Sequence, residues 1–111
     1  MTDTASKAIA LGEWVERLQG NLVRVTEAIS WRPGTDFERH SSALVSFDFV
    51  VSKTMWQMSG GHYVLYGPNE TCFMIGTTKL VEADLTPQKA SIIERFGNDA
   101  ERRSVVQILS S

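Results

Sequence analysis

Apolar positions along the chain fall into three rhythms. In the first third, Ala8, Leu11, Trp14, Val15 and Leu18 recur in steps of three and four. That spacing predicts a helix over residues 5–19, capped by Thr4 or Asp3. Gly20-Asn21 follows as a C-cap, since both residues tolerate a left-handed backbone. Residues 22–31 carry two patterns at once. Leu22, Val25 and Ile29 continue the helical seam, while Val23, Val25, Ile29 and Trp31 alternate with Arg24, Thr26, Ala28 and Ser30. The β-branched content and the Gly-Asn break favour a strand over one long helix.

The middle of the chain alternates with period two. Arg32-Pro33-Gly34 ends the preceding element, and residues 33–42 read as a loop. Residues 43–51 form the clearest strand, with Ala43, Val45, Phe47, Phe49 and Val51 on one face. Residues 53–59 fit no single pattern. Gly60-Gly61 predicts a turn, His62 to Tyr66 a strand, and Gly67-Pro68-Asn69-Glu70 a hairpin loop leading into a strand over 71–81. In the last third, Thr86-Pro87 has the order of a helix start and Phe96-Gly97 of a helix end. A final helix is expected from Asp99 to Leu109. The resulting expectation is one α+β domain over residues 1–111: an N-terminal helix, an antiparallel β-meander of three to four strands, and two short C-terminal helices on one sheet face.

Composition agrees with one ordinary domain of 111 residues, 42% hydrophobic and 22% charged, with a formal charge of −2. No apolar run approaches the roughly 18 residues of a membrane span, so no membrane role is expected. The start lacks a basic n-region and a small-residue cleavage site, which makes the cytoplasm the expected compartment. A lone Cys72 agrees with that, because no internal disulfide is possible. Asn69-Glu70-Thr71 matches a glycosylation triplet, a match frequent by chance.

Charges are mixed throughout, with five basic and seven acidic residues up to residue 50 and six of each after it. Arg95, Arg102 and Arg103 are interleaved with Glu94, Asp99 and Glu101. The two C-terminal helices would resemble a helix-turn-helix only in outline, and no nucleic-acid partner is expected.

Candidate chemistry is sparse. Cys72 and His62 are the one plausible nucleophile and base. A loop closed with Tyr66 opposite Thr71 would pair Leu65 with Cys72 and His62 with Ile75, placing the thiol and the imidazole on opposite faces. On that register Cys72 is a buried, inert thiol and there is no dyad. Two histidines 22 residues apart and one cysteine offer no metal-ligand spacing, so neither metal nor cofactor is expected. Gly60-Gly61 precedes a strand and not a helix, unlike a phosphate loop. Asp48 interrupts an apolar strand, where partial burial would raise its pKa.

The more informative feature is surplus apolar surface. Both faces of the 62–75 hairpin are apolar, and three short helices can cover only one. Trp56, Met58, Tyr63, Leu65, Tyr66 and Met74 are the residues expected to meet a protein partner. A non-catalytic interaction module of adaptor, chaperone, immunity or inhibitor type, acting as a homodimer, is the reading these residues support. The alternative is a helix-plus-curved-sheet cone that binds a small apolar ligand or does acid–base chemistry with Asp48 or His62.

Overall fold

The computed structural model describes residues 3–30, 41–58, 61–97 and 100–110. Helix α1 spans Asp3–Glu16 and is followed by eight strands: β1 Leu22–Ser30, β2 Ser41–Val50, β3 Lys53–Gln57, β4 His62–Tyr66, β5 Cys72–Gly76, β6 Leu80–Leu85, β7 Lys89–Phe96 and β8 Ala100–Ser110. They form a five-stranded sheet in the order β2-β1-β8-β7-β6 and a three-stranded sheet in the order β3-β4-β5. Every described ladder is antiparallel.

α1 forms where its apolar stripe predicts, and Leu11, Trp14, Val15 and Leu18 are buried. The chain leaves it through Gly20 at φ +87°, and the Asn21 side-chain amide donates to Arg17 O at 3.1 Å. That left-handed step turns the backbone away from the helix axis, which ends the alternative of one helix running on to Ile29. β1 takes the strand reading and becomes a central strand, with Val23 and Val25 fully buried.

Two corners join the sheets. At the first, β2 runs on into β3. The Val51 N–H donates to Asn21 O at 3.0 Å, and the next amide, Ser52 N–H, donates to Tyr66 O at 2.7 Å. Successive amides of an extended chain point to opposite edges, so one continuous segment pairs with the large sheet on one edge and then the small sheet on the other. At the second, Thr77 N–H still donates to Gly61 O at 2.9 Å, while Lys79 O accepts from Arg95 N–H at 2.8 Å. The segment expected as one strand over 71–81 is therefore split between sheets. The core lies between the two sheets and α1, built from Leu11, Trp14, Val15, Val25, Phe49, Leu65, Phe73, Ile75, Ile92 and Val106.

The two expected C-terminal helices do not exist. Residues 89–96 and 100–110 are β7 and β8 of the large sheet, so the helix–meander–helix architecture is replaced by one helix and two antiparallel sheets. The alternation that would have shown this is disguised by charge. The inward face pairs Ala90 with Val106, Ile92 with Ser104 and Glu94 with Arg102. Two of those three rows hold polar residues at core positions. Thr86 does cap something: its hydroxyl accepts the Lys89 N–H at 3.0 Å, closing the β6–β7 turn and not a helix. The break at residues 32–34, Gly60 and the Asp99 start of the final helix lie outside the described residues.

Candidate functional site

The β4–β5 hairpin closes one residue differently from the sequence-based register. Gly67 N–H donates to Thr71 O at 2.8 Å, and both Asn69 (φ 54°) and Glu70 (φ 63°) adopt left-handed conformations in the loop. Tyr66 then pairs with Cys72, Leu65 with Phe73, Val64 with Met74, Tyr63 with Ile75 and His62 with Gly76. A slip of one residue inverts the face of a whole strand. Cys72 is consequently exposed, not buried, and it shares a face with His62. The two still cannot form a dyad, because they sit at opposite ends of the hairpin, about 13 Å of strand apart at ~3.3 Å per residue.

This register sorts the candidate interaction residues. Leu65 lies on the inward face and is fully buried. Tyr63 also points inward, its ring tilted 50° against the Trp56 ring at 4.8 Å between centroids, and donates its hydroxyl to Ala8 O on α1 at 3.2 Å. Trp56 is on that same face at the sheet edge and remains half exposed, and Met58, just past β3, is 85% exposed. Tyr66 and Met74 face outward, with Lys53 Nζ 5.1 Å from the Tyr66 ring centroid. The outward row across the small sheet is Met55–Val64–Met74. Met55 is 40% and Met74 44% exposed, while Val64 between them is buried. Met55 escaped the sequence reading because residues 53–57 show no clean alternation.

Beside this face a cleft of about 370 Å³ opens where β4 and β5 meet β7 and β8. Its lining includes His62, Met74, Thr78, Lys79, Glu94, Phe96 and Arg102. Arg102 organises the floor. Its Nη2 lies 2.7 Å from Glu94 Oε1, its Nη1 3.4 Å from Glu27 Oε2, and Nη2 also donates to Met74 O. The guanidinium stands 5.3 Å from the Phe73 ring centroid, a cation–π contact. Glu94 Oε2 accepts the Gly76 N–H at 3.0 Å. One arginine thus ties together β1, β5, β7 and β8. Burial pushes the Glu94 carboxyl above its ordinary value, with the Glu27 charge adding to that; Arg102 and the Gly76 N–H pull the other way. A methyl group at Gly76 would sit 3.3 Å from Glu94 Oε2 and 3.8 Å from His62 Nε2, so the acid and the imidazole flank one small volume.

Asp48 behaves opposite to expectation. It lies on the outer face of the large sheet, where Arg24 Nε and Nη2 donate to its two oxygens at 2.9 and 3.1 Å. That hydrogen bonding, with the Arg24 charge adding to it, holds the carboxyl below its usual value against desolvation, so Asp48 is no raised-pKa acid. Arg95 and Arg103 are also on the outer face, both paired with the buried Glu101. The helix-turn-helix outline disappears with its helices. No group of three or more metal-ligating side chains converges among the described residues, and no helix is long and apolar enough to cross a membrane. Set against known proteins, the chain matches no family model, no curated protein and no solved structure.

Proposed function

We propose that this chain is a non-catalytic protein-interaction module that self-associates through the outward face of β3–β4–β5. The observation that carries the reading is the Met55–Val64–Met74 row. Two half-exposed methionines flank a buried valine, with Met58 standing almost free beside them. Methionine is unbranched and polarisable, so such a surface adapts to a partner at low strain. The rim supplies Lys53, Tyr66 and His62, a polar and aromatic border of the kind that surrounds interface cores. Adaptors, chaperones, immunity proteins and inhibitors all act through surfaces of this chemistry. Tyr63 and Leu65, being inward, contribute to the fold beneath the interface and not to the contact itself.

The test is the mass of the protein in solution. Light scattering at tens of micromolar should give a dimer, and Met55→Glu or Met74→Glu should release monomer, since an unpaired charge in an interface core costs several kcal/mol. A monomeric wild type at that concentration overturns the reading, as does a dimer indifferent to both substitutions.

A further inference from the structure

We infer that the cleft between β4–β5 and β7–β8 binds a small carboxylate with an apolar body, Lys79 and His62 receiving the carboxylate while Met74 and Phe96 hold the body. The polar groups that line the cleft divide into two sets. Glu94 and Arg102 are committed to each other: the carboxylate has one oxygen on the guanidinium and the other on the Gly76 N–H. The guanidinium is divided among Glu94, Glu27 and Met74 O. His62, Thr78 and Lys79 form no side-chain hydrogen bond or ion pair with any described residue, yet all three face the same cleft. What remains for a ligand is one fixed positive charge, an imidazole and a hydroxyl.

Charge decides the sign of the ligand. A cation would have to compete with Arg102 for Glu94, and winning would leave the guanidinium's own place in the core unpaired. An anion displaces nothing. The Glu94 charge at the floor is already met by Arg102 and the Gly76 N–H, and Glu27 meets Arg102 from β1 without lining the cleft. A carboxylate gains a charge-assisted hydrogen bond from Lys79. The apolar part follows from the walls. Phe96 is 42% and Met74 44% exposed, and ring and thioether suit an aromatic or short aliphatic group. A volume of about 370 Å³ is in the range of small-molecule sites.

The test uses three probes on the whole protein: phenylacetate, acetate and phenethylamine, titrated by NMR with the His62 and Phe96 ring signals as reporters. Phenylacetate should shift both saturably and bind about tenfold or more tightly than the other two, because neither supplies both the charge and the ring. Lys79→Met should weaken it by about tenfold, and Lys79→Arg should retain it. Since Lys79 is exposed and makes no ion pair to a described residue, neither variant disturbs the fold. Equal weak binding of all three probes, preference for the amine, or binding unchanged in Lys79→Met overturns the inference. Repeating the titration in Met55→Glu, outside the cleft lining, separates this result from the fate of self-association.

Discussion

Glu94 and Arg102 face each other across the β7–β8 ladder on its inward side, their charged atoms 2.7 Å apart. The carboxylate is 2% exposed and the guanidinium side chain 19%, so this is an ion pair withdrawn from water. Such a pair adds little net stability over apolar residues of equal volume, but breaking it is costly because one charge is left without a partner. Arg102→Met should therefore destabilise the protein by ~3–5 kcal/mol, and adding Glu94→Gln should recover part of that loss. Urea denaturation of the two single variants and the double variant reads the coupling. A loss under about 1 kcal/mol for Arg102→Met would deny the arginine its place as the joint of four strands.

The same carboxyl governs a pH dependence. Its ordinary value is 4.5 and the folded environment raises it, so the folded state holds the proton more tightly than the unfolded chain does. The stabilisation this gives is complete below the ordinary value and is lost as pH rises through the raised one. Arg102, Glu27, His62 and Lys79 face the group from β8, β1, β4 and the β5–β6 turn, and all four are present in wild type and variant alike. The wild-type minus Glu94→Gln difference in unfolding free energy should thus fall as pH rises above the ordinary carboxyl value of 4.5. A difference that rises with pH would show the Arg102 attraction outweighing burial.

Cys72 is exposed near the hairpin loop, so a disulfide reagent should label the native protein rapidly and stoichiometrically. Cys72→Ser should change stability by less than about 0.5 kcal/mol. Slow labelling that accelerates only on denaturation would return the thiol to an inward position and the hairpin to the other register.

Gly12→Ala offers a test of how closely α1 seats on the small sheet. In an exposed helix the change stabilises by about 1 kcal/mol. Here the added methyl would lie 2.1 Å from the Tyr63 hydroxyl oxygen and 2.6 Å from the ring carbon that carries it. The ring is held by Trp56 and by its bond to Ala8 O, so overpacking reverses the sign, to a loss of ~1–3 kcal/mol in thermal or urea unfolding.

What the sequence made legible was decided by which residues face inward. Leu11, Trp14, Val15 and Leu18 are apolar at helical spacing, so α1 could be read directly, whereas Val25 fits both a helical seam and a strand, and only β-branched content and the Gly-Asn break favoured β1 as a strand. In β7 and β8 the inward positions carry Glu94, Arg102 and Ser104, which look solvent-facing until the distant partners of Arg102, Glu27 in β1 and Met74 in β5, are known. The hairpin register failed for a local reason: the paired left-handed residues Asn69 and Glu70 take the loop into a geometry that a four-residue count does not reveal. His62 and Met74 could be named individually, but not the cleft they share with Lys79, Glu94 and Phe96, which exists only once the two corners bring the sheets together.

The pairing of β1 with both β2 and β8 orders events during synthesis. The β3–β4–β5 hairpins involve neighbours in sequence and can form while the chain is still emerging. The ladder from Leu22–Ser110 to Ser30–Glu101 cannot. Until β8 has emerged, β1 offers one whole edge and the buried faces of Val23 and Val25 to whatever is nearby, including the same segment of another nascent copy. The ladder with the widest sequence separation is also the one that seals the second edge of β1, so brief shelter of residues 22–30 should improve the yield of folded protein.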